Sequence, residues 1–381
     1  MQLRRGWLPA AIAAGLCAAP AGPAGAASLL DEQTAGSLLQ LFTDSGHVAV
    51  RTAIQEYSVT LPRGTSLDLH WNNERVVVPA IQAPPGSQAA VDAITTASRP
   101  ISGNGAYRDY VKVRNEFQGQ AKQRHAELGY YYSTEPDYLA QQVTASVNRD
   151  VAGDQLNLEL GTSLDWDAIA PLADDDTRTG AASKRTLHWN AVATRIVSPT
   201  TQVRLGVELN LVDGLQHNPY RNVYAGGARI PERHPGHRER RDAFLRIHQY
   251  FANRSSLKLA YRFYDDDWGI DSHEVGSTLS QYVTRGLYAT WDYRWYTQTG
   301  ADFYRSEYAT PDGVNGYRTG DYRMAALSSH LFGASLDMDL GALEVPNPWL
   351  ARLGMRWGYQ RYFNSNNYSA NFLTAQLTCR F

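Results

Sequence analysis

Three consecutive aspartates, Asp265-Asp266-Asp267, stand beside Trp268, with Asp271 and Glu274 a few residues on. Carboxylates this dense are hard oxygen donors of the kind that hold Ca²⁺ or Mg²⁺, so Asp265, Asp266, Asp267 and Asp271 form a candidate cation site, although their spacing matches no calcium loop; the alternatives are a hydrated rim or a loop anchor paired with arginine. A second acidic run, Asp174-Asp175-Asp176, has the same character. The stretch His217–Asp242 carries Arg221, Arg229, Arg233 and Arg238 around His234-Pro235-Gly236-His237. Two histidines at that spacing suit Zn or Cu, but a third ligand is needed and the arginines repel a cation, so no metal is assigned. The alternative is a basic loop that contacts anionic lipopolysaccharide or folds into a pore. A third set of charges, Arg204, Glu208, Arg246, His248, Lys258, Arg262, Asp292, Arg294, Arg352 and Arg356, falls at inward positions of alternating segments, where it either pairs across strands to stiffen a wall or forms a selectivity surface along a lumen. No Gly-x-Ser-x-Gly elbow and no Ser/His/Asp grouping accompanies them. The expectation is therefore a non-enzyme without a cofactor. A barrel hydrolase using His188 or His248 is the enzymatic alternative.

The elements that position these groups are strands with a period of two. In Thr201–Leu211, Val203, Leu205, Val207 and Leu209 alternate with Arg204, Gly206, Glu208 and Asn210. In Leu257–Tyr264, Leu257, Leu259, Tyr261 and Phe263 alternate with Lys258, Ala260, Arg262 and Tyr264. A soluble sandwich would alternate in the same way. Connection lengths separate the two, because tight turns at Val151–Asp154, Ser198–Thr201 and Asn253–Ser255 take turns with long polar loops at 169–183, 214–238 and 306–317. Short connections on one side and long ones on the other are the habit of an outer-membrane barrel. Aromatic residues at strand ends, among them Trp71, Tyr130, Tyr131, Tyr132, Trp189, Trp291 and Trp357, suit an interfacial girdle, and Trp268 would mark its outer edge.

The whole-chain totals leave few other classes open. The 381 residues carry a formal charge of -2, and the basic residues form no long block, so nucleic acid is not an expected partner. Arg4 and Arg5, an apolar run from Trp7, and small residues before Ser28 read as an export signal. Cys379 alone remains beyond that segment, so no internal disulfide is expected. The chain ends in FLTAQLTCRF, whose terminal aromatic, Phe381, resembles the signal read by the barrel assembly machinery.

Counted as strands, the alternating segments between 47–58 and 368–381 number about sixteen, including 89–98, 320–340 and 350–363, with fourteen as the alternative. Sixteen strands, all antiparallel, return both ends of the sheet to the periplasm. The expected organisation is a signal peptide over 1–27, a short periplasmic lead-in over 28–46, and an all-β transmembrane up-and-down barrel over 47–381. Asp265 then falls where hydrocarbon ends, which places the aspartates on a hydrated extracellular rim.

Four stretches, DAITTASRP (92–100), SPTTQVRLGVELNLVDGLQHNPYRNV (198–223), YRFYDDDWGI (261–270) and ADFY (301–304), together resemble a bacterial outer-membrane family catalogued as domain of unknown function 3570. The resemblance implies a barrel and no established activity. Its association with exported redox proteins implies envelope redox or metal handling, with periplasmic redox proteins as partners. The leading expectation is a channel or transporter for small solutes, with a polar lumen and a loop-narrowed mouth. The expected contacts are outer-membrane lipid, lipopolysaccharide and the assembly machinery. The other reading is a non-conducting barrel that scaffolds redox or metal-handling partners.

Overall fold

The computed structural model describes residues 32–62, 64–78, 110–173 and 177–381. The expected export signal, the segment 89–98 and Asp174-Asp175-Asp176 lie outside them. The first strands are β1 (Glu32–Asp44), β2 (Ala49–Leu61), β3 (Thr65–Val78), β4 (Tyr110–Gln123), β5 (Ala126–Thr134) and β6 (Tyr138–Val151). Next come β7 (Leu156–Ile169), β8 (Ala182–Ser198), β9 (Thr201–Gly214), β10 (Asn222–Ala225), β11 (Ala228–Pro231) and β12 (His237–Tyr250). The last are β13 (Ser255–Asp266), β14 (Asp271–Thr284), β15 (Leu287–Gln298), β16 (Leu327–Asp339), β17 (Leu353–Asn364) and β18 (Ser369–Arg380). All but β10 and β11 form one closed antiparallel barrel of sixteen strands, sealed by pairing of β1 with β18 from Thr34↔Arg380 to Asp44↔Ala370. Closure leaves no sheet edge, the condition under which a β-structure can stand in hydrocarbon.

Two corrections hide inside the agreement on strand number. The lead-in expected over 28–46 is, from Glu32 to Asp44, the first wall strand, with Leu39 and Leu41 alternating against Leu38, Gln40 and Phe42. The segment 89–98, counted as a wall strand from the sequence, lies outside the described residues, and the wall leaves no gap for it because β3 and β4 pair directly from Ser66↔Lys122 to Val78↔Tyr110. The two errors offset each other. Near the chain's end, β16 begins at Leu327 and β17 at Leu353, so Arg352 lies in the 3-10 turn Leu350–Arg352 and leaves the wall.

Alternation sorts the faces as the sequence requires. Leu160 is 62% exposed, Trp189 56% and Leu205 55%, all on the outer surface. Such exposure of large apolar groups would be an aggregation hazard in water and is the normal surface of a barrel in lipid. The opposite face points inward: Phe244, directly across from Gly206, is 6% exposed, and a Cβ on Gly206 would run into its ring. Tyr131, expected in the girdle, is also an inward residue and donates to Glu116 at 2.5 Å. At the end where β1 starts and β18 finishes, the turns are short, apart from residues 340–352. The connections 79–109, 170–181, 215–236 and 299–326 all leave from the other end. That asymmetry gathers the long loops at one mouth.

Candidate functional site

Pairing registers fix which lumen residues are neighbours. One side of the wall, from β2 to β7, is rich in carboxylates: Glu56, Asp68, Glu74, Glu116, Glu127 and Glu159 all point inward. Arg114 is taken up there, with its guanidinium 3.2 Å from Glu74 and 3.1 Å from Glu116. The side from β9 to β17 carries Arg204, Arg246, His248, Lys258, Arg262, Arg294 and Arg356. Each side also carries the other sign, with Lys112, Arg114 and Lys122 inward on the first and Glu208, Asp242, Glu274, Asp292 and Asp337 inward on the second, so the first side is acidic on balance and the second close to neutral. Several of the basic groups are paired locally: Arg262 contacts Asp242 at 2.7 Å and Glu208 at 3.4 Å, Arg356 lies 3.3 Å from Asp337, and Arg294 lies 3.6 Å from Glu274. Asp292 accepts from the Thr278 hydroxyl at 2.7 Å. Every wall position expected from the sequence faces the lumen except Arg352.

Above this wall the loops fold into a compact cap. The hairpin β10–β11 turns at Gly226-Gly227, with φ of 57° and 79°, values that glycine adopts without strain. Its Ala225 bridges Tyr308 of the loop 299–326, and Val223, Ala225 and Tyr308 form a small core. A second core joins Trp268, Ile270, Ala301 and Phe303, packed on Tyr264 of the barrel wall. Tyr264 faces the lumen, so the cap is seated on the inside of the barrel. Gln298, another inward residue, donates to the carbonyls of Arg323 and Ala325 at 2.8 and 2.7 Å and holds that segment to the inner wall. The cap is tethered on both flanks. Tyr220 donates to Asp137 at 2.6 Å, beyond β8, β7 and β6, while Tyr322 packs on Tyr368, whose hydroxyl is 3.2 Å from Asp44.

The acidic triplet belongs to this cap. Asp266 is buried: its carboxylate takes Arg238 in a buried ion pair, the Tyr264 hydroxyl at 2.7 Å, and the backbone N–H groups of Trp268 and Ile270, each at 3.0 Å. Arg238 in turn lies over the Trp268 ring at 4.1 Å. A carboxylate so fully engaged anchors a turn, so Asp266 is an Arg-paired loop anchor that bolts wall to cap and is not part of a hydrated rim. Asp267 accepts from the Glu239 N–H at 2.9 Å, Asp265 meets exposed Arg241 at 3.5 Å, and Asp271 is exposed. Among the described residues no group of three His, Cys, Asp or Glu side chains is placed to hold a metal. Trp268, expected at the membrane interface, is 3% exposed in the cap core. Gly269, with φ of 84°, makes the turn, and a Cβ there would meet the Asp302 carboxylate at 2.5 Å.

The basic loop divides in the same way. Arg229 and Arg233 are exposed, the latter 6.0 Å from the Tyr317 ring. Arg221 is fully buried, 3.0 Å from Asp321, which also pairs with Arg323. His234 and His237 do not converge: His237 meets Asp213 at 2.9 Å on the surface, while His234 is buried against Trp268 and Phe303 at 5.3 and 5.5 Å. Beneath it Glu232 accepts from Thr319 at 2.8 Å and Gly320 at 3.2 Å, with a carboxylate oxygen 3.7 Å from the His234 ring nitrogen. The arginines, aromatics and paired glycines of 215–236 and 299–326 were the sequence signal for a folded cap. A solvated loop has little use for so many rings.

Burial pushes the Glu232 carboxyl up to about 7, against the pull of Arg221, and pushes His234 down to about 3, with help from His217. Both groups are thus favoured in their neutral forms in the closed cap. Between pH about 4.5 and about 6.5 their linkage slopes cancel, because the closed state binds more protons at Glu232 and fewer at His234 than the opened state. His234→Phe removes the histidine's contribution. Cap opening, followed by amide hydrogen exchange, is then expected to become easier by about 3 kcal/mol as pH rises from 4.5 to 7. Matching pH profiles for the two proteins would contradict the coupling.

The model of a family described as Protein of unknown function (DUF3570) matches residues 43–346. No curated protein matches the chain. Among solved structures, CdiB from Acinetobacter baumannii aligns with a TM-score of 0.53 at 7% identity, over 92% of this chain and 60% of that one. OccD3 of Pseudomonas aeruginosa aligns at 0.44 and 12% identity, over 93% and 92%. A loop-deletion form of OmpT, an outer membrane protein of Vibrio cholerae, aligns at 0.43 and 10% identity, over 92% and 99%. At these identities the likeness is one of fold. Three of the four stretches that carry the sequence resemblance meet in the cap, through Arg221 and Val223, Asp266 and Trp268, and Ala301 and Phe303; the fourth, 92–100, lies outside the described residues.

Proposed function

This chain belongs to the DUF3570 family of proteins of unknown function, and on that premise we propose that it works in the bacterial outer membrane as a water-filled channel for small polar solutes. The observation that carries the reading is the lumen at mid-wall, where a recess of about 590 Å³ is lined by Arg204, Arg246, Lys258, Thr278, Asp292 and Arg294. A wall of sixteen strands encloses more space than inward side chains fill, and ionisable groups facing that space need water to remain charged. The cap then sets what enters. It covers part of the mouth from within, and its ion pairs and aromatic cores keep it in place.

In this reading the end carrying the short turns faces the periplasm and the capped end faces outward, where long loops normally stand. Swelling of proteoliposomes tests passage without reference to charge. Vesicles holding the protein are expected to swell in a small sugar such as arabinose and to resist a trisaccharide, which a capped mouth excludes. Absence of swelling in every sugar would favour the sealed alternative, a barrel that scaffolds envelope redox or metal-handling partners.

A further inference from the structure

The recess on the β9–β17 side of the lumen has features that a merely stiffened wall does not need. Arg204 and Arg246 are directly opposite on adjacent strands, with both side chains inward, and like charges so placed repel. Continuing along the same row, Arg246 faces Ala260, Ala260 faces Gly276, and Gly276 faces Arg294. Two residues of minimal size therefore form a floor between two guanidinium groups. On the adjoining row, His248 stands opposite Lys258 and Lys258 opposite Thr278.

The charges of this row are poorly met by the protein. Among the described residues, Arg204 and Arg294 reach carboxylates only at 3.6 Å, in Glu159 and Glu274, and the buried Arg204 Nε has no hydrogen-bond partner. Arg246 lies against the Phe244 ring at 4.7 Å, and neither it nor Lys258 has a carboxylate within 4.0 Å among the described residues. Arg262, one row nearer the cap, shows the contrast, since Asp242 and Glu208 both engage it. The lining holds Asp292 as its one carboxylate, and that group is already bonded to Thr278.

We propose that this recess is a binding station for a small solute carrying two or more oxyanion charges, such as a di- or tricarboxylate or a phosphate. Guanidinium groups present paired N–H donors to a carboxylate or phosphate, and Lys258 adds a point charge from the neighbouring row. The bound anion offsets the repulsion between Arg204 and Arg246. Gln202 and Gln360, at the edges of the recess, add neutral polar contacts for hydroxyl groups on the solute. A volume near 590 Å³ suits a compact organic molecule with its water. The site's role in passage rests on the channel reading; its binding chemistry does not.

Titration calorimetry on the full chain in a nonionic detergent, with citrate and inorganic phosphate as separate probes and arabinose as the uncharged control, tests the proposal. Saturable binding of at least one anion is expected, weakening as salt rises. Arg246→Gln with Lys258→Gln is expected to weaken it at least tenfold. Lys258→Arg retains binding, and Arg356→Gln, whose arginine is paired with Asp337 outside the recess, leaves it unchanged. If the double variant does not fold, each single variant is expected to show a several-fold loss. No saturable binding of either anion, or equal binding in the Gln variants and the parent, would overturn the proposal. Binding without solute passage would uphold the station and sink the channel. Passage without binding would do the reverse.

Discussion

Asp266→Ala is expected to release the cap while leaving the barrel folded. The change strips Arg238 of its buried partner, frees the Tyr264 hydroxyl, and leaves the N–H groups of Trp268 and Ile270 without an acceptor. Removing one member of a buried ion pair costs about 3–5 kcal/mol, because the remaining charge is left without compensation in a site that excludes water. The loss falls on the turn 267–270 and the loops packed against it, since no wall pairing depends on the Asp266 side chain. Limited proteolysis should then cut within 215–236 and 299–326, where the parent resists, and the heat-modifiable band of the folded barrel should persist. Loss of that band would assign the aspartate to barrel stability. Its neighbours provide internal controls. Asp267→Ala removes a hydrogen bond to the Glu239 N–H, worth about 1 kcal/mol, and Asp265→Ala removes a long contact to exposed Arg241 that is expected to have little effect.

Arg221→Met has an effect of similar size from the other half of the cap. The Arg221 guanidinium lies in the interior between Asp321, at 3.0 Å, and Glu232, at 3.9 Å. Asp321 retains Arg323, whereas Glu232 loses the cation that opposes its desolvation. The expected cost is about 3–5 kcal/mol of cap stability. It also has a pH signature. With Arg221 gone, the Glu232 carboxyl moves above its present value of about 7, so the closed cap holds that proton to higher pH and loses stability as the pH rises through a wider window. Hydrogen exchange in residues 222–231 should accelerate more steeply with pH in the variant than intrinsic chemistry requires. Equal pH dependence in the two proteins would show that Arg221 does not control Glu232.

The barrel was legible because a membrane imposes the simplest of patterns. Leu257, Leu259, Tyr261 and Phe263 can face only lipid if Lys258, Arg262 and Tyr264 face water, and the register bears this out. The same logic fixed the lumen positions of Arg204, Arg246 and Lys258. It failed at β1, where Ser37, Leu38 and Gln40 blur the alternation, and at 89–98, where alternation alone predicted a strand that the direct β3–β4 pairing leaves out of the wall. It failed too for Arg352, which a chain turning into β17 removes from the sheet.

The cap was hidden for a different reason. Its contacts join residues far apart in the chain, as in Arg221 with Asp321 or Ala225 with Tyr308, and carry no period. Three aspartates in a row look alike in sequence, yet Asp266 is buried in an ion pair while Asp267 is exposed and Asp265 half-buried beside Arg241, because only one of the three points into the barrel beside Arg238 and Tyr264. The ring-rich loops were the available hint. In the proposed channel, a closed wall with a seated cap would combine a charged lumen with restricted entry.

The central claim is that solutes cross this lumen beneath the cap, and single-channel recording in planar lipid bilayers tests it most directly. The parent is expected to give stepwise currents, and Asp266→Ala larger steps as the cap swings from the mouth. A bilayer that stays silent with both proteins, each verified as folded, would contradict the account.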